Sequence, residues 1–195
     1  MTETEPSDRI LTLPNLVTFL RLALIPLFWW LLLGRGEVAW AAALMFVVGW
    51  TDWIDGYLAR RLEQVSKVGI RLDPVADRLM IASALVAGLI AGVIPAVIGF
   101  ALIAREVFMA LLTLVLVSKG GGMLAVRYWG KVSTFILYGA IPAFYLAAAG
   151  VAEAIITPFA WIAGVVGLVL YWAVALQYLG DARRQLKDVE SPASR

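Results

Sequence analysis

Apolar residues dominate the chain in long runs, and short polar stretches separate these runs at near-regular intervals. Each run approaches the roughly 20 residues that a helix needs to cross the apolar core of a bilayer. We therefore predict six transmembrane helices, at about residues 16–34, 38–60, 73–91, 95–117, 131–149 and 154–180. Glycine or proline marks the short breaks at 34–37, 92–95 and 149–153, whereas residues 118–131 form a longer and more flexible connection.

Composition agrees with a membrane-embedded chain. Of the 195 residues, 62% are hydrophobic and 15% are charged, against about half and about a quarter in soluble domains. We predict an all-α integral membrane protein with one domain at 13–180 and polar tails at 1–12 and 181–195. The polar N-terminal stretch has no basic segment followed by a cleavage site, so we do not predict a cleaved signal peptide.

Charge predicts the orientation of these helices. The basic residues concentrate in the two tails and in the second and fourth connections, whereas the opposite side carries only Arg35. Because cytoplasmic loops of membrane proteins are enriched in lysine and arginine, we place both termini and all basic loops in the cytoplasm. An even number of spans is consistent with that placement.

Four aspartates lie close together in this predicted topology. Asp52 and Asp55 fall at the cytoplasmic end of the second helix, and Asp73 and Asp77 fall at the start of the third. Helical spacing puts the two members of each pair on one face, about 60° and about 40° apart. We therefore expect four carboxylates to meet at the cytoplasmic face.

Four neighbouring carboxylates repel one another in a low dielectric, so a cation is expected between them. The chain has no histidine and no cysteine, which favours Mg²⁺, Mn²⁺ or Ca²⁺ over Zn²⁺. Two divalent ions would suit a phosphate displacement. The alternative is helix capping, for which Asp73 before Pro74 is a good N-terminal signal. We favour a metal site because ionisable groups within membranes are costly and usually functional.

The spacing of these residues resembles the signature of the CDP-alcohol phosphotransferase family, Asp-x2-Asp-Gly-x2-Ala-Arg-x8-Gly-x3-Asp-x3-Asp. The matching positions are Asp52, Asp55, Gly56, Ala59, Arg60, Gly69, Asp73 and Asp77. The stretches "LPNLVTFLRLALIP" (13–26), "REV" (105–107) and "GKVSTF" (130–135) are also similar to the family. The resemblance covers most of the chain and thins after about residue 145.

The resemblance implies a six-helix enzyme of the bacterial plasma membrane, usually a homodimer, with its active site at the cytoplasmic face. It implies phosphatidyl transfer from CDP-diacylglycerol to a lipid or polar alcohol, with release of CMP and no nucleic-acid partner. By the resemblance, Asp52, Asp55 and Asp73 hold two divalent cations, Mg²⁺ or Mn²⁺. Asp77 lies at the same metals and is the candidate general base. Cytidine and pyrophosphate are framed by Gly56, Ala59, Arg60 and Gly69.

Further candidates lie outside the signature. Asn15, Thr18 and Arg21 share one face of the first helix and are candidates for binding the donor pyrophosphate, although Arg21 is equally suited to anchoring at lipid phosphates. Arg105 is a candidate for binding the acceptor, and a helix-orienting ion pair between Arg105 and Glu106 is the alternative.

The acceptor alcohol depends on the start of the fifth helix. Family members that make phosphatidylglycerophosphate usually carry Gly-Lys-x-Lys-Thr there and an arginine about eight residues after the Arg-Glu pair. Here Lys131 is retained as a candidate acceptor ligand, but Ser133 replaces the second lysine and Thr113 stands near the arginine's position. Fewer cations suit a phosphodiester better than a phosphomonoester. The segment "GKVSTFILYGAIPAF" is also similar to the family's actinobacterial cardiolipin synthases.

We therefore expect phosphatidylglycerol as the acceptor and cardiolipin as the product. Phosphatidylglycerophosphate synthesis from glycerol 3-phosphate is the close alternative, and an inositol phosphate acceptor comes third. From another functional class, a small ion or proton transporter predicts ionisable residues spread through the membrane depth. Here they gather at one face, so we favour an enzyme.

Overall fold

A computed structural model of the chain describes residues 13–48, 67–122, 124–125 and 127–190, and every regular element in these ranges is helical. A π-helical turn, Trp30–Gly34, follows the first helix. The helices are α1 (Leu13–Trp29), α2 (Val38–Val48 in its described part), α3 (Lys67–Ile90), α4 (Ala96–Ser118), α5 (Tyr128–Ala148) and α6 (Glu153–Glu190). The all-α prediction is thus confirmed for the described part of the chain.

Two predicted helix boundaries are wrong. Helix α3 begins at Lys67, six residues before the predicted start, so Gly69 and Asp73 lie inside the helix and not in a loop or at its N-cap. Pro74 removes one backbone hydrogen bond, which the remaining turns tolerate. Helix α6 continues ten residues beyond the predicted end at 180, to Glu190. Its extension is rich in Ala, Arg, Gln, Leu and Lys, which are strong helix formers despite their polarity.

Three of the described helices, α4, α5 and most of α6, are long and apolar enough to cross a membrane. The apolar stretches of the other three are shorter, at Thr18–Gly34, Val38–Val48 and Arg78–Ile90. The structure therefore supports three spans by length and composition, and the complete set of six stays a prediction.

The predicted breaks after α3, α4 and α5 are confirmed, and each has the same local structure. A glycine in the left-handed conformation follows each helix: Gly92 (φ 70°), Gly120 (φ 80°) and Gly150 (φ 77°). After α4, the Gly120 amide donates to the Val117 carbonyl at 3.0 Å and the Gly121 amide donates to the Leu116 carbonyl at 2.9 Å. These paired bonds are a Schellman motif, which satisfies the last carbonyls of the helix.

The described chain forms two compact units. The first unit contains the described residues up to Ile94 together with Tyr145–Glu153. Within it, α1 packs against α3, and Trp29 donates a hydrogen bond to Ser83. The ring of Phe28 lies 5.6 Å from that of Tyr145, whose hydroxyl donates to the Ala84 carbonyl at 2.7 Å. Small residues on α3 thus let a buried aromatic side chain approach the helix backbone.

The second unit contains Pro95–Phe144 and the described residues from Ala154 onwards. Its core depends on small residues along one face of α6. A Cβ atom on Gly164 would lie 3.0 Å from Ile98, and one on Gly167 would lie 2.9 Å from Leu137. Trp172 donates to the Ala101 carbonyl at 3.1 Å. Close contact at small residues is how membrane helices gain packing energy without a hydrophobic driving force.

Candidate functional site

The predicted metal ligands lie largely outside the described part of the chain. Asp52 and Asp55 are outside the described residues, and for Asp73 and Asp77 the structure describes the backbone only. Both of the latter lie on α3 at a separation of four residues, so they occupy one face of the helix, one turn apart. No three carboxylates form a metal-binding group among the side chains that the structure describes, and the four predicted ligands are not among those side chains.

The predicted donor-binding residues divide in the same way. Gly56, Ala59 and Arg60 lie outside the described residues, and Gly69 lies in the first turn of α3. For Asn15 only the helical backbone is described. On α1, Thr18 is 3% exposed and Arg21 is 5% exposed. A buried guanidinium does not fit the alternative of an anchor reaching lipid phosphates at the surface, so Arg21 stays a candidate for an internal anionic ligand.

Arg105 is buried in the middle of α4 and holds this helix against α6. Its Nη1 atom lies 2.9 Å from Oε1 of Glu106, and its guanidinium carbon lies 3.6 Å from the ring centre of Tyr171. The Tyr171 hydroxyl donates to the same Glu106 oxygen. The predicted ion pair is thus present and is tied to α6 by a tyrosine 65 residues further along the chain.

One atom of this cluster has no partner. Arg105 Nε is buried and has no hydrogen bond within the described structure. A buried donor without a partner is costly, so Arg105 retains the capacity to bind an anion in addition to Glu106. The ion pair and the acceptor role are therefore compatible.

At the start of α5, Lys131 and Ser133 differ in their exposure to solvent. Lys131 is exposed, whereas Ser133 is completely buried and donates to the Gly130 carbonyl at 2.9 Å. The Thr134 hydroxyl donates to the same carbonyl at 2.9 Å. Thr113 on α4 is exposed. Ser133 and Thr113 are the two positions where a cation of the phosphatidylglycerophosphate synthases is missing. Position 133 therefore lies in the core of its unit, and position 113 lies on the surface.

Sequence reasoning missed a group of contacts between the α4–α5 connection and the end of α6. Arg127 Nε and Nη2 donate to Oδ2 of Asp181 at 3.2 Å and 2.6 Å, and the Arg127 amide donates to the Tyr178 hydroxyl at 3.0 Å. The Gly122 amide donates to Gln185 Oε1 at 3.1 Å. The connection predicted to be flexible is thus hydrogen-bonded to α6 at Gly122 and at Arg127. The sequence does contain a pattern that could have indicated these contacts. Tyr178, Asp181 and Gln185 share one face at the polar end of a helix.

Comparison with known proteins identifies the family. The sequence model of the CDP-alcohol phosphatidyltransferase family matches residues 11–176, which include all eight positions of the signature. The chain belongs to this family. It is therefore a transferase, as the family resemblance of the sequence predicted.

Two of the curated relatives within the family have names that specify different reactions. A Streptomyces coelicolor protein named "Cardiolipin synthase (CMP-forming)" is 35% identical over 93% of this chain and 87% of its own length. A Bacillus subtilis protein named "CDP-diacylglycerol--glycerol-3-phosphate 3-phosphatidyltransferase" is 36% identical over 69% of this chain and 76% of its own. Both levels of identity are alike, so identity alone leaves the acceptor of this chain open.

Proposed function

We propose that this phosphatidyltransferase uses CDP-diacylglycerol as donor and phosphatidylglycerol as acceptor, giving cardiolipin and CMP. Support comes from the Streptomyces coelicolor relative, whose similarity extends over nearly the whole chain. It also comes from the start of α5, where Lys131 is exposed and position 133 carries an uncharged side chain.

The buried Ser133 hydroxyl is the observation that carries the choice of acceptor. Because Ser133 is 0% exposed and bonded to a backbone carbonyl of its own helix, it offers no group to a bound acceptor. A phosphomonoester carries up to two charges and gains most from two nearby cations. With Lys131 as the remaining cation of this segment, a singly charged phosphodiester is the better match.

A divalent metal site fits the residues on α3. The helix brings Asp73 and Asp77 to one face with hard carboxylate oxygens, the ligands that Mg²⁺ and Mn²⁺ prefer. We propose that these two residues, with Asp52 and Asp55, hold two such ions. When bound, the ions would neutralise charge on the pyrophosphate and on the leaving CMP.

The reaction requires one proton transfer. The acceptor hydroxyl oxygen attacks the phosphorus that bears the diacylglycerol, and the bond from this phosphorus to the CMP oxygen breaks. The hydroxyl proton passes to a carboxylate, for which Asp77 is the candidate in a chain without histidine. Buried Arg21 and Thr18 on α1 are candidates for holding the pyrophosphate oxygens of the donor.

The proposal includes six spans with both termini in the cytoplasm, an active site at the cytoplasmic face of a bacterial plasma membrane, and a homodimer. The concentration of basic residues in the tails and in two connections supports the orientation. The bacterial relatives support the compartment.

Glycerol 3-phosphate is the second candidate acceptor. It is favoured by the name of the Bacillus subtilis relative and by a Mycobacterium tuberculosis relative, "Probable phosphatidylglycerophosphate synthase", that is 32% identical over 90% of this chain and 87% of its own length. Arg105, with its unpartnered Nε, would supply the additional positive charge for this substrate.

Replacing Lys131 by alanine tests the acceptor role. We expect Lys131→Ala to raise the KM for phosphatidylglycerol about tenfold with little change in the KM for CDP-diacylglycerol, because the lysine would bind the acceptor alone. The matched control is Lys119→Ala, an exposed lysine after α4. Equal KM values for the acceptor in wild type and Lys131→Ala would remove Lys131 from the acceptor site.

A further inference from the structure

The α4–α5 connection is fastened to a single stripe of α6. Tyr178, Asp181 and Gln185 stand at positions i, i+3 and i+7, and each accepts a hydrogen bond from the connection. The Arg127 guanidinium and the Asp181 carboxylate are 40% and 33% exposed, so water screens the pair in part. Such a pair adds little to global stability, and its effect is therefore expected to be local.

The same arginine immediately precedes α5. Its carbonyl accepts the amide of Gly130 at 3.1 Å and that of Lys131 at 3.4 Å. Its own amide is held by the Tyr178 hydroxyl, and its side chain is held by Asp181. Arg127 is thus fixed to α6 through both its backbone and its side chain. The backbone of Lys131 is fixed in turn through Arg127.

Packing between Gly130 and α6 also helps to fix the start of α5. A Cβ atom on Gly130 would lie 3.5 Å from Val174, which is 1% exposed, and 3.9 Å from the Tyr178 hydroxyl. The first turn of α5 therefore lies within van der Waals reach of α6 at Gly130. A shift of α6 at Tyr178 or Asp181 would move the Lys131 backbone with it.

We propose that Tyr178 and Asp181 are positioning residues that act through Arg127 to place Lys131 at the charged group of the acceptor. This inference rests on the proposed role of Lys131 in binding the acceptor. It assigns the polar end of α6 a part in acceptor selection. Since a charged ligand is sensitive to small displacements of its partner, losing either contact should weaken acceptor binding and leave donor binding intact.

Asp181→Asn and Tyr178→Phe test the inference with little change in shape. The first removes the negative charge that pairs with Arg127, and the second removes the hydroxyl that accepts from the Arg127 amide. We expect each to raise the acceptor KM about threefold to tenfold, the scale of one partly exposed charged or polar contact, with the donor KM unchanged. Asp181→Glu should retain most of the wild-type value. Arg184→Gln, which removes an exposed charge from the same helix, serves as the control. An unchanged acceptor KM, or an equal rise in both KM values, would overturn the inference.

A double-mutant cycle separates this inference from the acceptor role of Lys131. If Asp181 acts through Lys131, adding Asp181→Asn to Lys131→Ala should raise the acceptor KM no further, because the group being positioned is already absent. Additive effects would overturn the positioning role and leave the acceptor role of Lys131 standing. If Lys131→Ala alone has no effect on the acceptor KM, both proposals fail.

Discussion

Residues within the apolar helices show how this chain accommodates buried polar groups. Arg105 is neutralised by its sequence neighbour Glu106, and Tyr171 both stacks on the guanidinium and donates to the carboxylate. A buried charge without such partners would destabilise the fold severely. Within the described structure, Nε of Arg105 remains without a hydrogen-bond partner.

If Asp77 is the general base, replacing it should lower turnover without weakening the binding of the donor. Asp77→Asn should lower kcat at least about a hundredfold, the usual contribution of general-base catalysis. CDP-diacylglycerol should still bind, because Asp52, Asp55 and Asp73 would continue to hold the ions. CMP release and donor binding, measured separately, check this result. Asp73→Asn is the comparison, and it should abolish both activity and metal-dependent donor binding. Wild-type turnover in Asp77→Asn, or full activity in excess EDTA, contradicts the assignment.

The close packing around Gly88 on α3 leads to a prediction about stability that does not depend on the catalytic mechanism. A Cβ atom there would lie 2.7 Å from the Tyr145 hydroxyl and 2.8 Å from Ile94, so Gly88→Ala forces the hydroxyl from the Ala84 carbonyl. We expect a loss of about 1–3 kcal/mol in the free energy of unfolding, the usual cost of overpacking.

Gly139→Ala provides the matched control, because its Cβ would meet nothing within 4 Å. Denaturant unfolding of both variants in the same detergent measures the difference. Combining Gly88→Ala with Tyr145→Phe should recover part of the loss. A Gly88→Ala protein as stable as Gly139→Ala would show that the close approach of Tyr145 is absent in solution.

At the scale of elements, α6 extends beyond any membrane span. Its 38 residues correspond to about 57 Å at 1.5 Å per residue, against about 30 Å for the apolar core of a bilayer. Its polar end carries Asp181 and Gln185, which hold the α4–α5 connection. The extension is therefore a brace for a neighbouring segment.

Shortening α6 tests this brace. Ending the chain after residue 180 removes Asp181 and Gln185, so the connection should be cleaved by trypsin at Lys119 or Arg127 several-fold faster, as expected when local contacts are lost. Ending the chain after residue 190 is the control, since it removes none of the described contacts. Equal cleavage rates in the two shortened proteins would contradict the bracing role.

Hydrophobic patterning predicted the helices well where the chemistry of their ends was unambiguous. The glycines after α3, α4 and α5 correctly marked the breaks. The start of α3 was misplaced because Asp73-Pro74 is a good start signal locally, whereas the helix continues through it. The end of α6 was misplaced because polarity was interpreted as the end of the helix.

Candidate site residues were harder to predict wherever the partner is distant in sequence. The adjacent residues Arg105 and Glu106 were recognised as a pair, but no local pattern shows that Tyr171 completes the cluster. The contact between Arg127 and Asp181 was missed for the same reason, since 54 residues separate them. The signature aspartates were predicted from their spacing in the sequence and from their chemistry alone, and their role as metal ligands stays a prediction.

For the whole molecule, hydropathy indicates the spans and the distribution of charge indicates their orientation. The helices α4, α5 and α6 supply three spans by length and composition, and basic residues are concentrated at the ends of the chain and in two connections. In the proposed orientation these cations face the cytoplasm, as do the four signature aspartates. A lipid donor and a lipid acceptor could then meet at the headgroup depth without leaving the bilayer.

Product identity tests the central claim most directly. Purified protein with Mg²⁺ and labelled CDP-diacylglycerol should be offered phosphatidylglycerol and glycerol 3-phosphate, each alone and at equal concentration, and the labelled lipids identified. We predict cardiolipin from phosphatidylglycerol, with one CMP released per product, and little phosphatidylglycerophosphate. Efficient formation of phosphatidylglycerophosphate, with no cardiolipin from phosphatidylglycerol, would contradict the proposed acceptor.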